Sequence, residues 1–185
     1  MPKPTLIVVT GRPGAGKTTF ANALGSDFFM PVVSRDSIKE GYVHTFGKKH
    51  TALPPETNSF VNQIYVNTLI GLIDSNVSVV TEAAFQHKVW QPMLEPFMDK
   101  AQIYLLICKI DGKTALERFV QRGLNNSMRE YFHGDKGVDL ARKGVVLTVS
   151  PYDEPRLDVP TYYIDTTGEC SPSIEELRKI ILKRP

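Results

Sequence analysis

Cysteine is scarce in this chain. Cys108 and Cys170 are the only two among 185 residues, far apart and in no C-x-x-C pattern. That excludes a disulfide-stapled fold and a cysteine-built zinc site. Both thiols are expected to stay reduced, with Cys108 inside an apolar strand. Charge of either sign is not in excess: 22 Lys and Arg stand against 20 Asp and Glu, a net +2. A total so near neutral does not mark a nucleic-acid binder, although a local basic groove would not show in it. Long hydrophobic runs are missing too; none approaches the roughly 18 residues of a membrane span. Only Met1-Pro2-Lys3-Pro4 precedes the first apolar run, which leaves no room for a signal peptide. The expectation is a cytoplasmic protein with no membrane partner. Repeats and low-complexity tracts are absent. The four histidines, His44, His50, His87 and His133, lack metal-ligand spacing. What is left is ordinary globular composition, 42% hydrophobic and 23% charged, at a length suited to a single domain over 1–185.

Against this plain background one stretch carries chemistry. Gly11-Arg12-Pro13-Gly14-Ala15-Gly16-Lys17-Thr18 matches G-x-x-x-x-G-K-[ST], a phosphate-binding P-loop. Glycines let the backbone curl so that successive N–H groups form an anion-binding nest. A helix N-terminus adds donors and positive partial charge. Lys17 is placed to reach β- and γ-phosphates, and Thr18 to give its hydroxyl oxygen to Mg²⁺. The nucleotide-binding set therefore runs from Gly11 through Thr18 and on to Thr19, with ATP and Mg²⁺ as the implied ligands. Its surroundings agree. Thr5 to Thr10 is an apolar, β-branched run, as a strand buried on both faces should be, and Thr19 to Leu24 reads as a helix.

Further strands are expected at Pro31–Ser34, Val77–Thr81, Ile103–Ile110 and Tyr162–Ile164. Between them, Glu56–Asn76 shows helical spacing of Phe60, Val61, Ile64, Tyr65, Leu69, Leu72 and Ile73. His87–Lys100 is helical in part, interrupted by Pro92 and Pro96. Asp111–Gln121 forms a helix with Ala115, Leu116, Phe119 and Val120 inward. A closing helix follows the capping signals Ser171-Pro172-Ser173-Ile174-Glu175-Glu176 and buries Ile174, Leu177, Ile180 and Ile181. Residues 41–55 read as a surface segment with one short helix. Residues 122–144 are charged and poor in apolar residues. Alternating strands and helices predict an α/β fold, a parallel sheet with helices on both faces. Ligands bind such sheets at the carboxyl ends of the strands. Those ends carry the P-loop, Asp36, Glu82, Asp111 and Thr166-Thr167.

The order GRPGAGKTT, SRDSIKEGYVHTFG, VVTEAAF, an Arg-bearing helix and then IDTT resembles the P-loop kinases that include polynucleotide 5′-kinases, chloramphenicol phosphotransferase and zeta toxins. The resemblance implies a P-loop NTPase three-layer sandwich with strand order 2-3-1-4-5, a lid near 122–144 and an acceptor-binding segment near 41–75. It also implies that Asp36, in the Arg35-Asp36 pair, is the general base. Lys39 stands where these enzymes hold substrate phosphate with Arg; a lysine there gives up the bidentate fork. Arg118, Arg122 and Arg129 match the lid arginines that touch nucleotide phosphates.

Read from the residues alone, Arg118 and Arg122 lie four apart on one helix face and suit a shared phosphate cluster. Glu82 departs from the usual Walker-B Asp and is a candidate for holding Mg²⁺ through water or for binding substrate. His44 is a candidate for lining the acceptor pocket, and Thr166 and Thr167 for flanking the base. The expected function is an ATP-dependent phosphotransferase acting on a hydroxyl of a small molecule, of the antibiotic, sugar or nucleoside class. A polynucleotide 5′-hydroxyl kinase and an NTP-hydrolysing switch are the alternatives; nucleic acid is a less favoured partner than a small molecule.

Overall fold

The computed structural model describes residues 2–182. Five strands form one parallel sheet: β1 (Thr5–Thr10), β2 (Val32–Ser34), β3 (Val79–Glu82), β4 (Gln102–Lys109) and β5 (Thr161–Asp165), in the order β2-β3-β1-β4-β5. Eight helices surround it: α1 (Lys17–Phe28), α2 (Arg35–Phe46), α3 (Thr57–Asp74), α4 (His87–Leu94), α5 (Gly112–Leu124), α6 (Ser127–His133), α7 (Lys136–Arg142) and α8 (Ile174–Ile181). The strand order is the one expected from the P-loop kinase likeness.

Side-chain alternation splits the core in two. Leu6 and Val8 of β1 point to one face and pack with Tyr65, Leu69 and Ile73 of α3 and Trp90 and Leu94 of α4. Ile7 and Val9 point to the other and pack with Phe20 and Leu24 of α1 and Leu177 and Ile181 of α8. Because both faces are covered, β1 and β4 read as continuous apolar runs. Cys108 sits in the second of these cores, where burial pushes its thiol up to about 12.

Several boundaries depart from the sequence expectation, for physical reasons. The polar residues after β2 continue straight into α2, a 12-residue helix, instead of a surface segment. Its amide ends are served by Ser34, whose hydroxyl accepts from Ser37 N, and it stops at Gly47 with φ 58°. Only Lys39 and Val43 of α2 are buried, so the helix carries almost no apolar periodicity to read. In α3 the buried stripe is Val61, Tyr65, Leu69 and Ile73, and Phe60 is exposed against Tyr42. In α8, Leu177 and Ile181 are buried while Ile180 faces out. Its N-cap is Ser173, in a capping box with Glu176. Asp111 serves as the N-cap of α5, accepting from Thr114 N at 2.8 Å. That is its local role, and it lies outside the cleft described below.

Residues 122–144 are folded, with Val138 of α7 packed against Gly123 of α5 and α6 lying on α2 through polar contacts. After α7 the chain crosses the sheet ends as an irregular strap, residues 145–160. Tyr152 pins it: its hydroxyl donates to Phe85 O at 2.9 Å and lies 3.0 Å from the Thr10 hydroxyl. No helix among the described residues is long and apolar enough to cross a membrane.

Candidate active site

The P-loop joins β1 to α1 in a backbone shape that side chains oppose. Gly14 has φ 84°, and a Cβ there would fall 1.9 Å from Ala115 O of α5. Gly16, the N-cap of α1, has φ 77°. Lys17 is buried and donates from Nζ to Arg12 O at 3.0 Å. Burial lowers its pKa, against the pull of Glu82. A hidden, desolvated cation above a ring of amides is a site arranged for an anion.

The register places the next groups. Glu82 pairs with Val9 on one side and with Ser34 on the other, so three strands end on one level. Glu82 is buried, and its Oε2 accepts from the Ser34 hydroxyl at 2.9 Å and the Thr18 hydroxyl at 3.3 Å. Burial raises its pKa although Lys17 and both hydroxyls lower it. Hydroxyl and carboxylate oxygens beside a phosphate nest suit Mg²⁺, which takes one or two protein oxygens and fills its shell with water and phosphate. Among the described residues no group of three or more His, Cys, Asp and Glu could hold a metal by itself.

Asp36 opens α2, and its carboxylate is half-exposed. Arg35 Nη1 lies 3.5 Å from one of its oxygens and His133 Nδ1 4.0 Å from the other. Burial works to raise its pKa, but the charges of His133, Arg35, Arg129 and Lys39 together hold it below the ordinary value. Arg35 is itself fixed by Asn62 Oδ1 at 3.0 Å and Asn58 Oδ1 at 2.9 Å, both on α3. Lys39 is buried and donates to His133 O at 3.0 Å. His133 Nε2 lies 2.7 Å from Glu40. These contacts lay α6 on α2, and Arg129 of α6 pairs with Asp135 at 3.3 Å.

The result is a cleft of about 470 Å³. It brings together Pro13, Gly14, Gly16, Lys17, Thr18 and Thr19 with Asp36, Lys39, Glu82, Arg122 and Arg129. Several candidates fall elsewhere. Gly11 and Ala15 lie under the loop, and Ala15 is fully buried. The Arg12 side chain lies against Gly112 and borders a second pocket. Arg118 does not share a phosphate cluster with Arg122: it donates to Thr166 O and Thr167 O, each at 3.3 Å. Four residues apart puts two side chains on one helix face, but the turn after β5 captures one and the cleft the other. Thr166 is buried, its hydroxyl 2.9 Å from Ala15 O and 3.0 Å from Lys109 O, so it ties the P-loop to the sheet. Thr167 is exposed. His44 lines a separate hollow between α2 and α6.

The residue types gave no warning of Ser34, Glu40, His133 and Asp135, which also border the cleft. Ser34 could have been found as an N-cap, with Ser37 three residues on. His133 carried no signal, because its partners lie on α2, over 90 residues away in sequence.

Solved structures of other proteins share this fold, three of them as follows. One is a Chloroflexus aurantiacus protein described as a candidate kinase, with 20% identity, 100% of both chains covered and a TM-score of 0.77. Another is the Mycobacterium tuberculosis APS kinase in complex with AMPPNP and APS, with 16% identity, 99% of this chain and 98% of that one covered and a TM-score of 0.61. The third is a sugar kinase from Janibacter, with 15% identity, 95% and 93% covered and a TM-score of 0.58. At such identities the likeness is one of fold. No curated protein sequence matches the chain. A family model described as an AAA domain matches residues 6–137, from β1 through the P-loop and cleft to α7, and the chain belongs to that family.

Proposed function

We propose that the protein is an ATP-dependent kinase that transfers the γ-phosphoryl group to a hydroxyl of a small molecule. One observation carries the reading: the half-exposed Asp36 carboxylate shares a cleft with the P-loop groups Lys17 and Thr18. A hydrolytic switch has no need of an ionised carboxylate opposite its phosphate nest.

In this reading the acceptor oxygen attacks the γ-phosphorus. The bond from that phosphorus to the β–γ bridging oxygen breaks, and ADP leaves with the electron pair. Asp36 orients the hydroxyl and takes its proton, then releases it to water. Its low proton affinity suits a loose transition state, in which the nucleophile is aligned more than deprotonated. Lys17, Arg122 and Arg129 surround the transferring group, and their charge matters most as it spreads over the equatorial oxygens. Thr18 and Glu82 would hold Mg²⁺, which supplies neutralisation of the phosphate charge. Lys39 keeps α6 in place through His133 O. On the far side of the loop, Arg118 and the exposed Thr167 are the groups available to a nucleotide base, with Thr166 holding the turn in place.

The test compares Asp36→Asn with Glu82→Gln, measuring transfer to hydroxyl acceptors, 5′-hydroxyl oligonucleotides among them, beside acceptor-free hydrolysis. Asp36→Asn should lose about 10²-fold or more in transfer, the scale of general-base catalysis, with ATP affinity nearly unchanged. Transfer as fast as wild type would remove the base role. Hydrolysis untouched by Asp36→Asn but abolished by Glu82→Gln, with no acceptor used, would make the protein a switch.

A further inference from the structure

Next to the phosphate cleft lies a pocket of about 460 Å³ with a different chemistry. Leu116, Phe119, Leu140, Leu147, Val149 and Pro151 give it apolar walls, supplied by α5, α7 and the strap. Arg12 is the one charged side chain on its border, and no carboxylate reaches it. Pro13, Ala84 and Phe119 border both spaces, so the pocket continues the cleft past the P-loop.

Its rear wall is fixed by buried polar contacts. Trp90 Nε1 donates to the Thr10 hydroxyl at 2.8 Å, and Thr10 Oγ1 lies 3.0 Å from both Ala83 O and the Tyr152 hydroxyl. The strap that carries Leu147, Val149 and Pro151 is thereby anchored to the end of β1. Such a space is formed before any ligand arrives, and its size is that of a small-molecule site.

We propose that this pocket holds the apolar body of the acceptor, and that the acceptor is a small alcohol carrying an aromatic ring. The inference rests on the kinase reading of the neighbouring cleft. Gln86, Thr148, Ser150 and Tyr152 are the other polar residues on the border, and a sugar or sugar acid placed here would still set several of its hydroxyls against leucine, valine and phenylalanine, a costly burial. An ammonium-bearing acceptor would find Arg12 and no carboxylate. An aromatic ring meets Phe119 and the aliphatic walls, while its hydroxyl reaches past Pro13 and Ala84 toward Asp36. There the alcohol oxygen bonds to the γ-phosphorus, ADP departs with the bridging oxygen, and the proton passes to Asp36 and on to water.

The experiment uses phenylalkanols from benzyl alcohol to 4-phenylbutan-1-ol, with D-gluconate as the polar comparator. Binding is measured by calorimetry and transfer by ADP release. Each added methylene should raise kcat/KM about fourfold until the pocket is full, the scale of burying one such group. Gly137 lies inside α7, and a Cβ there would meet Phe119 at 3.4 Å and Leu147 at 3.8 Å, ordinary contact distances. Gly137→Leu therefore projects into the pocket without backbone strain, and should weaken phenylalkanol binding at least tenfold. Leu140→Asp, at an exposed helical position, should do the same by adding a charge, so the result does not hang on one variant. Melting temperatures near wild type certify folding. D-gluconate phosphorylated in preference to every phenylalkanol, and unaffected by either variant, would overturn the pocket assignment and leave the kinase reading standing. Phenylalkanol binding that both variants abolish, with no acceptor phosphorylated, would uphold the apolar site and overturn the kinase reading instead.

Discussion

The two walls of the cleft are built by different means. The P-loop wall is tied through main-chain carbonyls: Ala15 N and Lys17 Nζ donate to Arg12 O at 3.1 Å and 3.0 Å, and the Thr166 hydroxyl donates to Ala15 O at 2.9 Å. Those groups lie in the loop between β1 and α1, at the first residue of α1 and just past β5, so the sheet ends frame the wall. The opposite wall, α2 with α6, is joined by side chains: Lys39 to His133 O, His133 to Glu40, and Arg129 to Asp135. Lys39 and His133 are buried, and of these groups only Glu40 is half-exposed. The comparison teaches a division of labour. The phosphate side is built into the sheet ends, whereas the acceptor side is two helices held by a few side-chain contacts, so the loss of one contact loosens it.

Four changes would break or sharpen that contrast. The largest effect is expected from Lys17→Ala, which leaves the amide nest intact but removes its charge. Transfer should fall about 10³-fold, the scale of losing a transition-state electrostatic contact. Activity within about threefold of wild type, roughly 0.6 kcal/mol on the barrier, would mean the rigid wall is not the reactive one.

His133→Ala strikes the adjustable wall. It should lower kcat/KM about tenfold, mainly through KM for the acceptor, because α6 loses its hold on α2 while the P-loop keeps ATP. Limited proteolysis should cut residues 122–144 faster, and saturating ATP·Mg²⁺ should restore protection. Equal cleavage of variant and wild type would show that the side-chain contacts do not hold this wall.

Thr166→Val tests whether the rigid wall owes its rigidity to the β5 turn. The swap keeps shape but leaves two carbonyls without their hydroxyl, a cost of about 1–3 kcal/mol. Urea unfolding measures it, and an unchanged midpoint would refute the tie.

The smallest effect concerns pH. The Asp36 carboxyl is held below its ordinary 3.8 in the folded protein. A depressed folded pKa adds stability above the unfolded value, and that stability is lost as pH falls through the folded value. The difference in unfolding free energy between wild type and Asp36→Asn should therefore be flat from about pH 5 to about pH 8 and shrink below about pH 4. A difference that stayed constant below about pH 4 would show that the surrounding cations do not hold this carboxyl down.

The same contrast explains how much could be read from the residues. The rigid wall was legible because main-chain geometry leaves local marks. Glycines stand where φ is positive, β-branched runs where strands are buried, and Lys17-Thr18 where the helix begins. Asp36 and Glu82 followed from the rule that ligands gather at strand ends. The adjustable wall left no such marks. Helix α2 is polar along most of its length because it faces solvent and cleft, so no apolar stripe declares it. Arg118 and Arg122 were indistinguishable by spacing, and only the turn after β5 separates them. Ala115 of α5 is buried as expected, whereas Leu116 and Phe119 line a pocket that the strap and α7 do not close over.

The shared level of Val9, Glu82 and Ser34 makes the sheet a ruler. Adjacent strands stand about 4.8 Å apart, and β3 separates the P-loop strand from the strand that leads into Asp36. The phosphate nest and the carboxylate opposite it are therefore two lattice steps apart, about 10 Å at the backbone. Helices α6 and α7 can shift without altering that interval, because Asp36 stands two residues past the end of β2. Whatever the acceptor, its reacting oxygen must fit a gap metered by hydrogen-bonded backbone. Variation in the outer helices can retune which molecule is admitted while the span across which phosphate must travel stays constant.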